Sequence, residues 1–220
     1  FDQHVIAHEF QHFLEDAISR TDTVGDKHSL DERLDMRVAF SEGYANAFSG
    51  MVLNDPLYRD SFGTAQGSDS NFSLESRTAA VPGWYNETSV QRIAWDLFDT
   101  VNDGADAVSL GFGPLYSVFV TELRSDVPLT SLFPFISALK LRPGVPALLV
   151  DQLVEAERVA GTSLGIVSTT MTPYAATETF SGVAAASADL SLPVYAVVIP
   201  NGPNVRVCTS SRLDTGAGIV

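Results

Sequence analysis

Apolar residues recur at three- and four-residue spacing from the start of the chain. Ile6, Phe10, Phe13 and Ala17 share one face, with Leu14 beside them, which predicts a helix over 2–19. A second helix is predicted over 31–53, where Asn54-Asp55-Pro56 stops it. Residues 54–86 are rich in Gly, Ser, Asp and Asn and show little periodicity. They read as one long loop, of the kind that forms lids and binding loops. A third helix is predicted over 88–101, with Val90, Ile93, Ala94, Leu97, Phe98 and Val101 as its apolar stripe. Shorter helices are expected at 113–124, 130–141 and 146–160, the last closed by Gly161. Beyond 161 Thr, Ser and Val increase, and strand-like runs at 195–199 and 205–208 flank Pro200-Asn201-Gly202-Pro203. The pattern predicts a mainly α domain over 1–165 and a small, incomplete β-rich module over 166–220, with a boundary near 161–172.

Composition narrows the function classes. With 45% hydrophobic and 10% aromatic residues, the chain is built to fold around a core. Thirteen basic residues against 27 acidic ones give a formal charge of −14, and Lys27 and Lys140 are its lysines. Such a surface repels phosphate backbones and anionic lipid, which argues against nucleic acid or a membrane surface as partner. A single cysteine, Cys208, allows no internal disulfide. No apolar run reaches the roughly 18 residues that a membrane span needs. The chain opens on Phe1 inside a helical pattern and without a methionine, so it reads as a piece of something longer.

Within the first helix stands His8-Glu9-Phe10-Gln11-His12, an H-E-x-x-H pattern. Helical positions i and i+4 share a face one turn apart, so both imidazoles can reach one zinc ion at about 2.0–2.1 Å. Glu9, beside the first ligand, can take a proton from the metal's water without binding the metal itself. It also neighbours Phe10 and Phe13, a costly place for a charge without a role. The plainer alternative is an exposed helix with surface histidines. His4 extends the row by a turn, but a single metal is normally held from two adjacent turns, so His4 is expected on a cleft wall or the surface. His28, in the polar connection before the second helix, is expected at the surface.

A third ligand must come from elsewhere. The longer pattern H-E-x-x-H-x-x-G-x-x-H is excluded, because Glu15 and Ile18 stand at its Gly and last His positions. The second helix offers Phe40-Ser41-Glu42-Gly43-Tyr44-Ala45-Asn46 instead. Asp35, Ala39, Asn46 and Ser49 share the face of Glu42 and are small or polar, which lets the two helices approach closely. Asp99, Asn102, Asp103 and Asp106 crowd a loop with Gly104, but the spacing fails the EF-hand pattern, so a solvated turn is expected rather than a calcium site.

His8-Glu9-x-x-His12 followed by Ser41-Glu42-Gly43-Tyr44-Ala45 resembles the gluzincin metallopeptidases, the thermolysin and aminopeptidase N branch. The wider runs 35–60 and 84–99 resemble secreted bacterial peptidases, so the resemblance covers roughly residues 1–140. It implies a zincin-like catalytic domain, Zn2+ held by His8, His12 and Glu42, and Glu9 as general base acting on a peptide or protein substrate. It also implies an extracellular or periplasmic location. Asn46 stands where thermolysin-like enzymes place an Asp, and would accept the second ring N–H of a zinc-bound histidine; Asp35 is the charged alternative. No histidine follows His28, so the histidine oxyanion donor of thermolysin-like enzymes is absent. A tyrosine would serve, as in the aminopeptidase N branch: Tyr85 first, Tyr116 second. The alternative for Tyr85 is simple packing beside Trp84.

In gluzincins a sheet precedes the zinc helix and pairs with the substrate backbone. Without it the piece is expected to bind zinc weakly and cleave poorly, unless 62–81 supply the substrate rail. Two other functions compete with peptide hydrolysis: a zinc hydrolase of a non-peptide amide or ester, and a silent, metal-stabilised structural or adhesion module. Glu9 counts against the silent module, because a structural site needs no acid beside its ligands.

Overall fold

The structure, a computed structural model, describes residues 2–159 except 26, 102, 103, 105 and 126–128, together with Thr162. The described residues hold seven α-helices and one β-hairpin with a short 3-10 turn, Thr64–Gln66, between its strands: α1 Gln3–Ile18, α2 Met36–Leu53, β1 Leu57–Phe62, β2 Ser68–Ser73, α3 Glu87–Phe98, α4 Phe112–Val120, α5 Glu122–Ser125, α6 Leu132–Lys140 and α7 Ala147–Ala156. The expected Gly161 stop, the boundary near 161–172 and the β-rich module lie outside the described residues.

At the centre lies α2, buried nearly all round, with α1 and α3 packed against it. Phe40, Tyr44, Phe119 and Phe135 interlock on its inner side, Tyr44 and Phe119 stacking at 5.2 Å between ring centroids. Gly43 permits the contact with α3. A Cβ there would stand 2.6 Å from the Val90 Cβ and 2.7 Å from the Glu87 carbonyl oxygen, so any larger residue would push the two helices apart. At its far end α2 closes on Asn54, which adopts φ 52°, a left-handed conformation that asparagine tolerates well.

The apolar face of α1 points away from α2. Ile6, Phe10 and Phe13 are 61%, 51% and 61% exposed, whereas His4, His8, Gln11 and Glu15 are buried. The polar face of α1 meets α2 because the side chains it meets there are themselves polar, Ser41, Glu42 and Asn46. Glu9 is exposed as well, so the cost expected from its aromatic neighbours does not arise.

The stretch 54–86 also departs from expectation, since it contains the β1–β2 hairpin rather than an irregular loop. The strands pair antiparallel, with Tyr58 opposite Phe72 and Asp60 opposite Ser70. Ser68–Ser73 holds a single apolar residue, Phe72, so its alternation is invisible in the sequence. Asp2, just before α1, anchors the hairpin by accepting from the Ser61 hydroxyl at 2.8 Å and from Gln66 Nε2 at 3.2 Å.

Candidate metal centre

His8 and His12 project from successive turns of α1 toward Glu42 on α2. Their ligand atoms all lie within 4.8 Å of one another, and this is the one such group of three or more histidine, cysteine or acidic residues among the described residues. His8 Nε2 and His12 Nε2 are 3.1 Å apart, and Glu42 Oε2 lies 3.2 Å and 3.3 Å from them. A tetrahedron with bonds of about 2.0–2.1 Å has edges of about 3.3–3.4 Å, so the three atoms already approximate one face of a zinc-sized site.

The other ring nitrogens fix the histidines in the orientation a ligand needs. His8 Nδ1 donates to Asn46 Oδ1 at 2.9 Å, and Asn46 Nδ2 donates to Gln91 Oε1 at 3.1 Å, which settles how the amide is turned. His12 Nδ1 lies 3.2 Å from Ser41 Oγ, whose hydroxyl donates to Glu15 Oε2 at 2.6 Å. Both Nε2 atoms are thereby turned toward Glu42. Asn46 thus stands where expected, whereas Ser41 and Glu15 carry a role that no sequence pattern marks.

Asp35 does not take part. It caps the N-terminus of α2, accepting from Arg37 N at 2.9 Å and pairing with the Arg37 guanidinium at 2.8 Å. The second helix begins at Met36, five residues later than its apolar pattern predicts, so Asp35 precedes the face it was expected to share.

His28 is exposed, as expected, and also lines the site. Its Nδ1 lies 2.8 Å from Glu87 Oε2 and its Nε2 3.3 Å from Glu42 Oε2. Glu87 opens α3, and Asn86 caps that helix by accepting from Thr88 N and Ser89 N. A carboxylate there is favoured by the positive end of the helix dipole. His28 was missed because its partners sit far along the chain, on α2 and α3, and its own segment carries no periodicity.

The imidazoles and carboxylates of the cluster set one another's charge. Burial would lower the His12 imidazole, but hydrogen bonds to Glu15 and Glu42 outweigh it and push its pKa up to about 10. Burial would raise Glu42, yet His12 and His8 hold it well below the usual carboxylate range. The hydrogen bond to Glu87 raises His28 against the opposing effect of burial.

These groups line an open cleft of about 480 Å³, together with Glu9 from α1 and Tyr58, Asp60, Ser70 and Phe72 from the hairpin. Tyr85 is absent from it. Tyr85 is buried against Trp84, and its hydroxyl donates to the Pro82 carbonyl at 3.1 Å. Tyr116 stacks on Phe112 and does not line the cleft either. His4 is buried, its Nε2 3.2 Å from the Asp55 carbonyl, and so is neither a cleft wall nor a surface residue. In the acidic loop Asp99 and Asp106 are buried rather than solvated, while Asn102 and Asp103 lie outside the described residues.

A helical domain with two histidines from one helix and a glutamate from the next, converging at a cleft, has the arrangement expected of metal-dependent hydrolases. The chain belongs to the family described as the mycolysin C-terminal domain, whose model matches residues 2–125. This family is a domain of thermolysin-family peptidases, which relates the chain to metallopeptidases. No curated protein and no solved structure matches the chain. Among the described residues no helix is long and apolar enough to cross a membrane.

Proposed function

We propose that the chain carries a zinc-dependent peptidase centre of zincin type. The observation that supports this most is the convergence of His8, His12 and Glu42 on one point of a cleft whose wall includes a free carboxylate, Glu9. The donor set of two imidazoles and one carboxylate suits zinc and leaves room for a water. When bound, zinc supplies a Lewis acid that lowers the pKa of its water to about 7.

The chain's own groups supply the rest of the reaction. The Glu9 carboxylate accepts the proton of the attacking water and passes it to the leaving nitrogen of the peptide. His28 Nε2 faces the same point from the far side of Glu42 and donates a hydrogen bond to the substrate's carbonyl oxygen as negative charge develops there. Glu87 holds the His28 ring by its Nδ1–H. In this reading His28 takes the oxyanion role first expected of Tyr85. Mycolysin-family peptidases are secreted, and an acidic, lysine-poor chain fits an extracellular or periplasmic location.

The test combines metal analysis with a peptide hydrolysis assay. Wild type should hold one zinc per chain. Glu9→Gln should keep the metal and lower turnover by about 10²–10⁴-fold, the size of a general-base contribution. Glu42→Ala should lose the metal. Full hydrolysis by Glu9→Gln, or unchanged zinc in Glu42→Ala, would overturn the reading.

A further inference from the structure

The charges of the cleft leave one carboxylate without a task. Four acidic side chains line it: Glu9, Glu42, Glu87 and Asp60. Glu42 faces the histidines, Glu87 holds His28, and Glu9 is assigned to the proton. Asp60 makes no side-chain hydrogen bond or ion pair among the described residues. Among the described residues no lysine or arginine lines the cleft. The basic residues nearest along the chain are committed elsewhere. Arg59 points to the opposite face of the hairpin and pairs with Asp55 at 2.5 Å, and Arg77 pairs with Asp31 at 2.9 Å while its guanidinium carbon stands 5.9 Å from the Phe72 ring centroid.

The surroundings of Asp60 suit a long, amphipathic side chain. Because strand residues alternate faces, Tyr58 and Asp60 on β1 share the cleft face with their cross-strand partners Phe72 and Ser70. Tyr58 and Phe72 stack with centroids 4.6 Å apart and planes 10° from parallel, giving a flat apolar wall. One residue further along that face, past the wall, comes the Asp60 carboxylate. The Tyr58 ring is 6.2 Å from the His8 ring, so this wall adjoins the metal ligands. A lysine or arginine side chain lays its methylenes along such a wall and places its charge at the end.

We propose that Asp60 selects peptides carrying a lysine or arginine side chain beside the bond to be cleaved. This rests on the peptidase reading above and adds its substrate class.

Binding and hydrolysis together test it. The probes are N-acetylated, C-amidated peptides that differ only in lysine or norleucine at each position flanking the scissile bond. Binding is measured by calorimetry on Glu9→Gln protein, and kcat/KM on wild type. At one flanking position lysine should be preferred about fivefold, the size of an ion pair at a half-exposed site, and added salt should weaken the preference. In an Asp60→Asn background the lysine-to-norleucine ratio should fall to about one, whereas Asp69→Asn, on the opposite face of the same hairpin, should keep it. An undiminished ratio in Asp60→Asn, or an equal loss in Asp69→Asn, would overturn the assignment. Discrimination in binding without hydrolysis by wild type would sink the peptidase reading and leave the Asp60 site standing.

Discussion

Glu87 opens α3, and Asp96 and Asp99 lie at its other end. All three carboxylates are buried, but they meet opposite surroundings. At the first turn they alternate with imidazoles: Glu87 meets His28, and Glu42 meets His8, His12 and His28. There the glutamate is held far below its ordinary pKa. At the last turn the acids gather with one another. Burial, acting with Glu75, Asp99 and Asp106 against the single opposing charge of Arg92, pushes Asp96 up to about 8. Burial and Glu75 push Asp99 up to about 7. Among the described residues one buried oxygen on each of these aspartates has no hydrogen-bond partner, whereas Glu42 and Glu87 have theirs. Burial alone therefore says nothing about charge: beside imidazoles the glutamate stays ionised, and among other acids the aspartates favour a proton.

The largest effect should come from breaking the balanced end. His28→Ala should lower the turnover number by about 10²-fold while zinc stays bound, as loss of an oxyanion donor does. Glu87→Gln should fall between that variant and wild type, because the ring remains but loses its anchor. Tyr85→Phe should leave the rate unchanged, since its hydroxyl serves the Pro82 carbonyl. A loss in Tyr85→Phe with none in His28→Ala would reverse the assignment of the donor.

A smaller effect should follow from loosening the same end without removing a charge. Asn46→Leu takes the acceptor from His8 Nδ1 and should weaken zinc affinity about 10–100-fold, measured by competition with a chelator. Unchanged affinity would mean that packing alone orients His8.

The smallest effect belongs to the unbalanced end and has the opposite sign. The folded pKa of Asp96 lies above its unfolded value, so the folded state binds more protons and loses stability as pH rises from about 4 to 8. Asp96→Asn should therefore stabilise the protein by about 1–2 kcal/mol at pH 9 and much less at pH 4.5, read by urea unfolding. An equal gain at both pH values would show that ionisation of Asp96 is not the cause.

Local pattern alone determined several parts of this protein. The H-E-x-x-H spacing put His8 and His12 one turn apart, and the helical periodicities located α1, α2 and α3 to within a few residues, because 3.6-residue repetition is a property of the chain itself. Glu42 and Asn46 were legible by the same rule, being one turn apart on one face. Tertiary structure alone decided which face of each helix turned inward. The side of α1 that meets α2 is polar, a network of hydrogen bonds between His8, His12, Glu15, Ser41 and Asn46. Tertiary structure also brought His28 from a featureless connection to Glu87 at the start of α3, and stood Tyr58 and Asp60 over the cleft on a hairpin with almost no alternation of its own. Those pairings span long stretches of chain, and nothing local encodes them. They form only when α2, held close to α3 by Gly43, provides one surface on which the separate segments meet.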